Sequence, residues 1–230
     1  MHVTLLTTLL LTLQVLALAL PSYTHTSKRL PSSSLHPRQN ATNPSSCDLS
    51  SISQPPHTMT PPSSDMTLVL IALGRGTQNY TCAPNAPTPS PIGAVATLYD
   101  ASCAVATSNA KPADGKGRAG GRGRAKGPCV LPQSAPSIGN HFFSDNTTPV
   151  FSIPSLGITA LKKAESAPAP DPSVDVPWLL LSAVAEGTTS PVKSIYRLHT
   201  KGGVAPGSCE GVAEGETVTV GYEAEYWIYA

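Results

Sequence analysis

From residue 66 onward the chain is organised by short apolar runs and two-residue alternations, punctuated by Gly and Pro. The clearest stretch is the last third. Residues 178–185 are apolar on both parities, the pattern of a strand covered on both sides. Residues 192–200 alternate. Val192, Ser194, Tyr196 and Leu198 share one face; Lys193, Ile195, Arg197 and His199 share the other. Residues 217–229 alternate for longer. Val218, Val220, Tyr222, Ala224, Tyr226 and Ile228 lie on one side, and Thr217, Thr219, Glu223, Glu225, Trp227 and Tyr229 on the other, with Gly221 read as the mark of a bulge.

Earlier runs repeat the theme. Residues 66–73 read as a buried strand, Gly74-Arg75-Gly76 as a turn, and 77–82 as a second strand. Residues 83–91 hold four prolines and read as a loop, and 92–100 as a third strand that ends at Ala101-Ser102-Cys103. Residues 138–143 and 149–153 form a predicted hairpin across Ser144-Asp145-Asn146. Residues 162–173 read as a loop, with one or two helical turns expected over 156–164. No long helical periodicity occurs. The expected fold is all-β, an antiparallel sandwich or barrel-like domain with long Pro/Gly-rich loops.

The flanks differ. Residues 4–20 are mostly apolar and end in Ala17-Leu18-Ala19, the pattern of a secretory signal peptide cleaved after Ala19. No other run approaches membrane-spanning length, so no stable membrane anchor is expected. Residues 20–64 are a Pro/Ser/Thr-rich arm expected to stay extended, with Lys28-Arg29 as a dibasic processing site and Cys47 as a tether. Residues 65–230 form a single β-domain interrupted by a flexible basic insertion at 111–129. Asn40, Asn79 and Asn146 head glycosylation sequons, and Pro149 follows closely after the third.

The near-neutral formal charge of +1 conceals a split. Outside the arm and the insertion, six basic residues face twelve acidic ones. An acidic domain excludes a nucleic-acid-binding face, and the basic insertion has no aromatics for base stacking. An exported chain with five cysteines is read as two disulfides and one leftover thiol; the residues alone leave the pairing open. No Cys-x-x-Cys, His-Glu-x-x-His, nucleophile elbow or phosphate loop occurs, and no metal or cofactor is expected.

Six motifs in order carry a resemblance: Gly-Arg-Gly-Thr-Gln-Asn-Tyr-Thr-Cys ending at Cys82, Ala-Thr-Leu-Tyr-Asp-Ala-Ser-Cys ending at Cys103, Gly-Asn-His-Phe-Phe ending at Phe143, Val-Pro-Trp-Leu-Leu-Leu ending at Leu181, Tyr-Arg-Leu-His-Thr-Lys-Gly-Gly-Val-Ala-Pro ending at Pro206, and Tyr-Glu-Ala-Glu-Tyr-Trp-Ile-Tyr ending at Tyr229. Over 47–230 the chain resembles a domain-of-unknown-function family of secreted proteins common in filamentous fungi, with bacterial relatives. Many members carry the label "malate dehydrogenase". The residues do not support that label. Gly74-Arg75-Gly76 begins a dinucleotide fingerprint but lacks its third glycine, no helix follows, and no βαβ succession exists. The bacterial members keep cysteines like Cys82 and Cys209 and lack the other two of the fungal set. The resemblance therefore implies bridges Cys82–Cys209 and Cys47–Cys103, with Cys129 left over as a free thiol.

Candidate chemistry is sparse. His141 matches a family position and is the one candidate general base or metal ligand, with Asp100 or Asp145 as its only conceivable carboxylate partners. His199 stands where relatives more often have Gln or Asn. Arg197 and His199 form a polar strand face that runs into Gly202-Gly203, a ligand rim. Trp227 and Tyr229 share a face that suits sugar stacking. Glu223 and Glu225 lie on the expected solvent face. The expectation is a secreted, non-enzymatic binding protein for a cell-wall glycan or an extracellular protein; the alternative is an enzyme of unassigned class using His141.

Overall fold

The computed structural model describes residues 47–109 and 128–230. The signal-peptide reading, the arm up to residue 46, the Asn40 sequon and residues 110–127 of the basic insertion lie outside the described residues.

Eight strands form a closed antiparallel barrel in which each pairs with the next in sequence and β8 closes on β1. They are β1 (Leu68–Thr81), β2 (Ser90–Asp100), β3 (Ser137–Phe143), β4 (Pro149–Ile153), β5 (Gly157–Ala167), β6 (Trp178–Ala183), β7 (Ser194–Gly202) and β8 (Thr217–Tyr229). A short helix, α1 (Ser102–Asn109), follows β2. The β3–β4 hairpin turns where the pattern predicts. Asp145 organises that turn by accepting from the backbone N–H groups of Thr147 and Thr148.

The expected turn at Gly74-Arg75-Gly76 is instead the middle of β1, continuously paired with β2 and β8. Glycine is needed there for space. A Cβ on Gly76 would lie 1.8 Å from the Val95 carbonyl oxygen, and one on Gly74 2.5 Å from the Tyr226 ring. The predicted loop over 162–173 and the helical turns over 156–164 give way to β5, which is hydrogen-bonded on both edges, to β4 and β6. Its inward residues beyond Leu161 are too small or too polar to show a strand alternation. Helix α1 was unmarked in the pattern because Val105 is its one large apolar residue facing the barrel; Asp100 Oδ1 accepts from the Ser102 N–H at its start.

The inner face of the barrel carries Ala72, Ala94, Ala96, Leu98, Phe151, Ile153, Leu161, Leu181, Ile195, Tyr222, Ala224, Tyr226 and Ile228. A second apolar layer lies outside β6, β7, β8 and β1: Trp178, Leu180, Tyr196, Leu198, Trp227, Tyr229, Ile71 and Leu73. Residues 47–66, the last part of the arm from its Cys47 tether onward, lie across this layer. Leu49, Ile52, Met59 and Met66 pack on it, Tyr196 Oη donates to the Thr60 carbonyl, and Thr67 exchanges two backbone hydrogen bonds with Ala230. Together with a disulfide, these contacts offset the ordering entropy of the segment.

The disulfides are Cys47–Cys103, joining the arm to α1, and Cys82–Cys209, joining the end of β1 to the β7–β8 connection. No described helix is long and apolar enough to cross a membrane.

Candidate ligand cavity in the barrel

The two ends of the barrel differ because the inward residues differ. Where β1 starts and β8 ends, Leu98, Ile153, Leu161, Ile195 and Ile228 fill the interior. Toward the other end the inward positions are Gly74, Gly76 and Ala224 on one wall, and polar or shorter groups on the others. There the barrel holds a cavity of about 410 Å³. Gln78, Tyr80, His141, Val176, Leu179, Leu181, Arg197 and Tyr226 line it, and Pro91, Phe143, Asn146, Thr147, Pro149 and Lys163 stand around its opening. Eight-stranded barrels have room for side-chain filling or for one small ligand, and this one is filled only in part.

His141 lies on β3, paired to Ala96 of β2 and Phe151 of β4. It is 3% exposed, and its ring stacks on Phe151 at 4.3 Å between centroids. Nδ1 lies 3.0 Å from the Val150 carbonyl, which acts only as an acceptor, so Nδ1 carries the proton and Nε2 is the acceptor nitrogen. Burial lowers its pKa to about 4, with the nearby positive charge of Arg197 acting in the same direction. The ring is therefore neutral at pH 7. Neither conceivable carboxylate partner lines the cavity: Asp100 starts α1 and Asp145 holds the β3–β4 turn.

Arg197 points inward from β7 and is 8% exposed. Nε and Nη2 both donate to the Pro177 carbonyl, at 3.2 and 2.8 Å. This bond, with Thr200 Oγ1 donating to the Val176 carbonyl and the Gly202 N–H donating to Asp175 Oδ1, fastens the β5–β6 connection to β7 at the open end. Tyr226 and Tyr222 share a hydrogen bond of 2.8 Å between their hydroxyls. Burial raises both phenol pKa values, so both stay protonated. Tyr80 Oη donates to the Gly203 carbonyl, and the Gln78 side-chain nitrogen is buried with no hydrogen-bond partner.

Of the residues singled out from sequence, the cavity brings together His141 and Arg197. His199 does not share the Arg197 face. Two residues of β7, His199 and Thr200, stand between the Leu198↔Glu225 and Lys201↔Glu223 pairs, and His199 has a φ of 48°. The bulge thus lies in β7 and not at Gly221. It turns His199 to the outer layer, where its ring lies 5.3 Å from that of Trp178. Trp227 and Tyr229 do occupy the outward face of β8, but they are 0% and 7% exposed beneath residues 47–66, so they offer no open stacking platform. Glu225, on the same face, is fully buried and accepts from the Cys129 N–H and Trp227 Nε1, while Glu223 pairs with Arg75 at 2.8 Å. Asn146 is exposed beside the opening; Asn79 is half-buried on β1. Among the described residues no cluster of three His, Cys, Asp or Glu is placed to hold a metal.

Sequence reasoning missed Gln78, Tyr80, Tyr222 and Tyr226. The usable signal was the inward parity itself: Ala72, Gly74, Gly76, Ala94, Ala96 and Ala224 are too small to fill a barrel, so larger neighbours on that parity must border a space.

The family described as "Protein of unknown function (DUF3455)" matches residues 62–230, from just before β1 through β8. The chain belongs to this family. The DUF3455 match spans the whole barrel and the inserted basic loop, and stops short of residues 47–61, which the Cys47–Cys103 bridge ties to it. No curated protein and no solved structure matches the chain.

Proposed function

We propose that the chain is a secreted, non-catalytic binding protein whose ligand is a small molecule with a sizeable apolar body, held inside the barrel. The observation that carries this reading is the cavity itself. It occupies the lumen of a closed barrel, and its volume of about 410 Å³ falls within the usual range of small-molecule sites. Its walls join apolar side chains to a set of polar groups, Gln78, Tyr80, His141, Arg197 and Tyr226 among them, the usual make-up of a binding pocket. Export is supported by the signal-like leader and by two disulfides, which persist in oxidising compartments. A glycan platform on the barrel surface has less support, because Trp227 and Tyr229 are covered.

A second reading, acid–base catalysis by His141, is favoured by the position of that ring on the cavity wall. Two features weigh against it. A pKa of about 4 makes the imidazole a weak base, and no carboxylate orients it.

The test is a titration of the full-length protein with N-phenyl-1-naphthylamine, a neutral apolar fluorophore. Saturable one-to-one binding is expected, lost when Leu179→Trp fills the lumen. Absence of saturable binding, or binding indifferent to Leu179→Trp, refutes the reading.

A further inference from the structure

Resting on the lumen as the binding site, we propose that the ligand is an organic carboxylate whose acidic head is received by Arg197 on the cavity wall.

The argument is one of charge and donors. Three of the outer cations have acids beside them: Arg75 with Glu223, Lys193 with Asp65, and Lys201 with Asp175, while Lys162 stands in solvent. Inside the barrel the pattern reverses. The lining holds two cations, the buried Arg197 and the exposed Lys163, and no Asp or Glu. Arg197 is 8% exposed, yet no carboxylate of the described residues forms an ion pair with it. Buried charges are ordinarily paired. The Pro177 carbonyl takes two of the five guanidinium N–H groups and the Tyr226 hydroxyl lies against the group, which offsets a dipole's worth of the cost but leaves the charge unneutralised.

Nothing else in the lumen supplies the missing anion. The Tyr222 and Tyr226 hydroxyls are held protonated by burial, and His141 is neutral. The Gln78 side-chain amide, buried beside the Tyr222 hydroxyl, adds a further donor. The set is therefore positive and rich in donors in a domain that is otherwise acidic. A carboxylate is its complement, because it carries one negative charge, accepts only, and takes Arg in two parallel hydrogen bonds. Val176, Leu179, Leu181 and Phe143 also line the cavity and suit an apolar body behind the head. Lys163, exposed at the rim, gives the entrance the sign that draws an anion in.

The test compares 2-naphthoate with 2-naphthamide, which share one ring system and differ in charge, by calorimetric titration of the full-length protein at pH 7. The acid is expected to bind about 10-fold more tightly or better, the usual advantage of a charge-assisted hydrogen bond. Arg197→Met is expected to bring the acid-to-amide affinity ratio close to one, and Arg197→Lys to retain part of the preference. The acid-to-amide ratio of the unaltered protein stands as a test even if Arg197→Met does not fold. Equal binding of acid and amide overturns the carboxylate inference and leaves the lumen as a site. So does binding of N-phenyl-1-naphthylamine with neither naphthalene derivative bound. Failure of all three compounds overturns both. A preference for the acid that survives in folded Arg197→Met overturns the role of Arg197.

Discussion

Acidification from pH 7 to pH 4 perturbs a buried group, His141, before it reaches the carboxylates. Its ring is enclosed by Phe151 and Tyr226, and its pKa is lowered from 6.5 to about 4, chiefly by burial. The folded state thus resists a proton that the unfolded chain takes up near pH 6.5. Stability from this group is complete above pH 6.5, falls as the pH drops from 6.5 to 4, and is flat below that. The full shift corresponds to about 3 kcal/mol, of which about 2 kcal/mol is lost between pH 7 and pH 5. Urea unfolding of the parent and of His141→Gln at pH 7, 6, 5 and 4 isolates the effect. The stability advantage of the parent should shrink by about 2 kcal/mol between pH 7 and pH 5. An NMR titration should find the His141 ring midpoint near 4. A midpoint near 6.5, or an advantage that stays constant from pH 7 to pH 5, would refute the reasoning that the ring is a desolvated, neutral part of the wall.

Other outcomes follow from separate parts of the fold. Replacing Cys82 and Cys209 with Ala opens a link across 127 residues, which loop-closure entropy rates at about 4–5 kcal/mol; a loss under about 1 kcal/mol in denaturant titration would contradict it. Gly76→Ala should prevent folding or cost more than about 3 kcal/mol, because its Cβ meets the Val95 backbone, whereas Gly221→Ala, which meets nothing within 4 Å, should be tolerated; circular dichroism melts of the two decide it. Trp227→Ala should cost about 3–5 kcal/mol in urea unfolding, and iodide should fail to quench native fluorescence because both tryptophans are buried. Asp145, held down to about 2 by the Thr147 and Thr148 donors, should stabilise the fold above pH 3.8 and progressively less as the pH falls toward 2, so the Asp145→Ala and parent melting temperatures converge at low pH.

Alternation made β8 and the start of β7 readable from the chain, because each has one parity facing the barrel interior. It failed where the physical demand is not for apolar bulk. At Gly74 and Gly76 the demand is for absent side chains inside a strand, and glycine pairs ordinarily mark turns. In β5 the strand is imposed by pairing with β4 on one edge and β6 on the other, while its own residues 162–167 carry no apolar alternation to announce it. The site was legible only as single residues. His141 and Arg197 stand out by chemistry, but their common cavity depends on barrel closure, and the bulge that separates His199 from Arg197 has no signature in 198–201. The cover over Trp227 and Tyr229 is equally non-local, being built from an arm whose composition resembles that of unfolded chain.

The closure of the barrel also governs when the protein exists. β1 finds one partner within thirty residues, in β2, but its other edge pairs with β8, from Leu68↔Tyr229 to Thr81↔Thr217. Until β8 has been synthesised, that edge of β1 and the far edge of β7 are both unpaired, and each presents a row of unsatisfied N–H and C=O groups able to recruit a strand from another chain. The contact that seals the lumen is the most distant in sequence and so the slowest to form. A chain arrested before β8 would not be a barrel with one strand missing; it would be an open sheet with two adhesive edges, prone to assemble with its own copies.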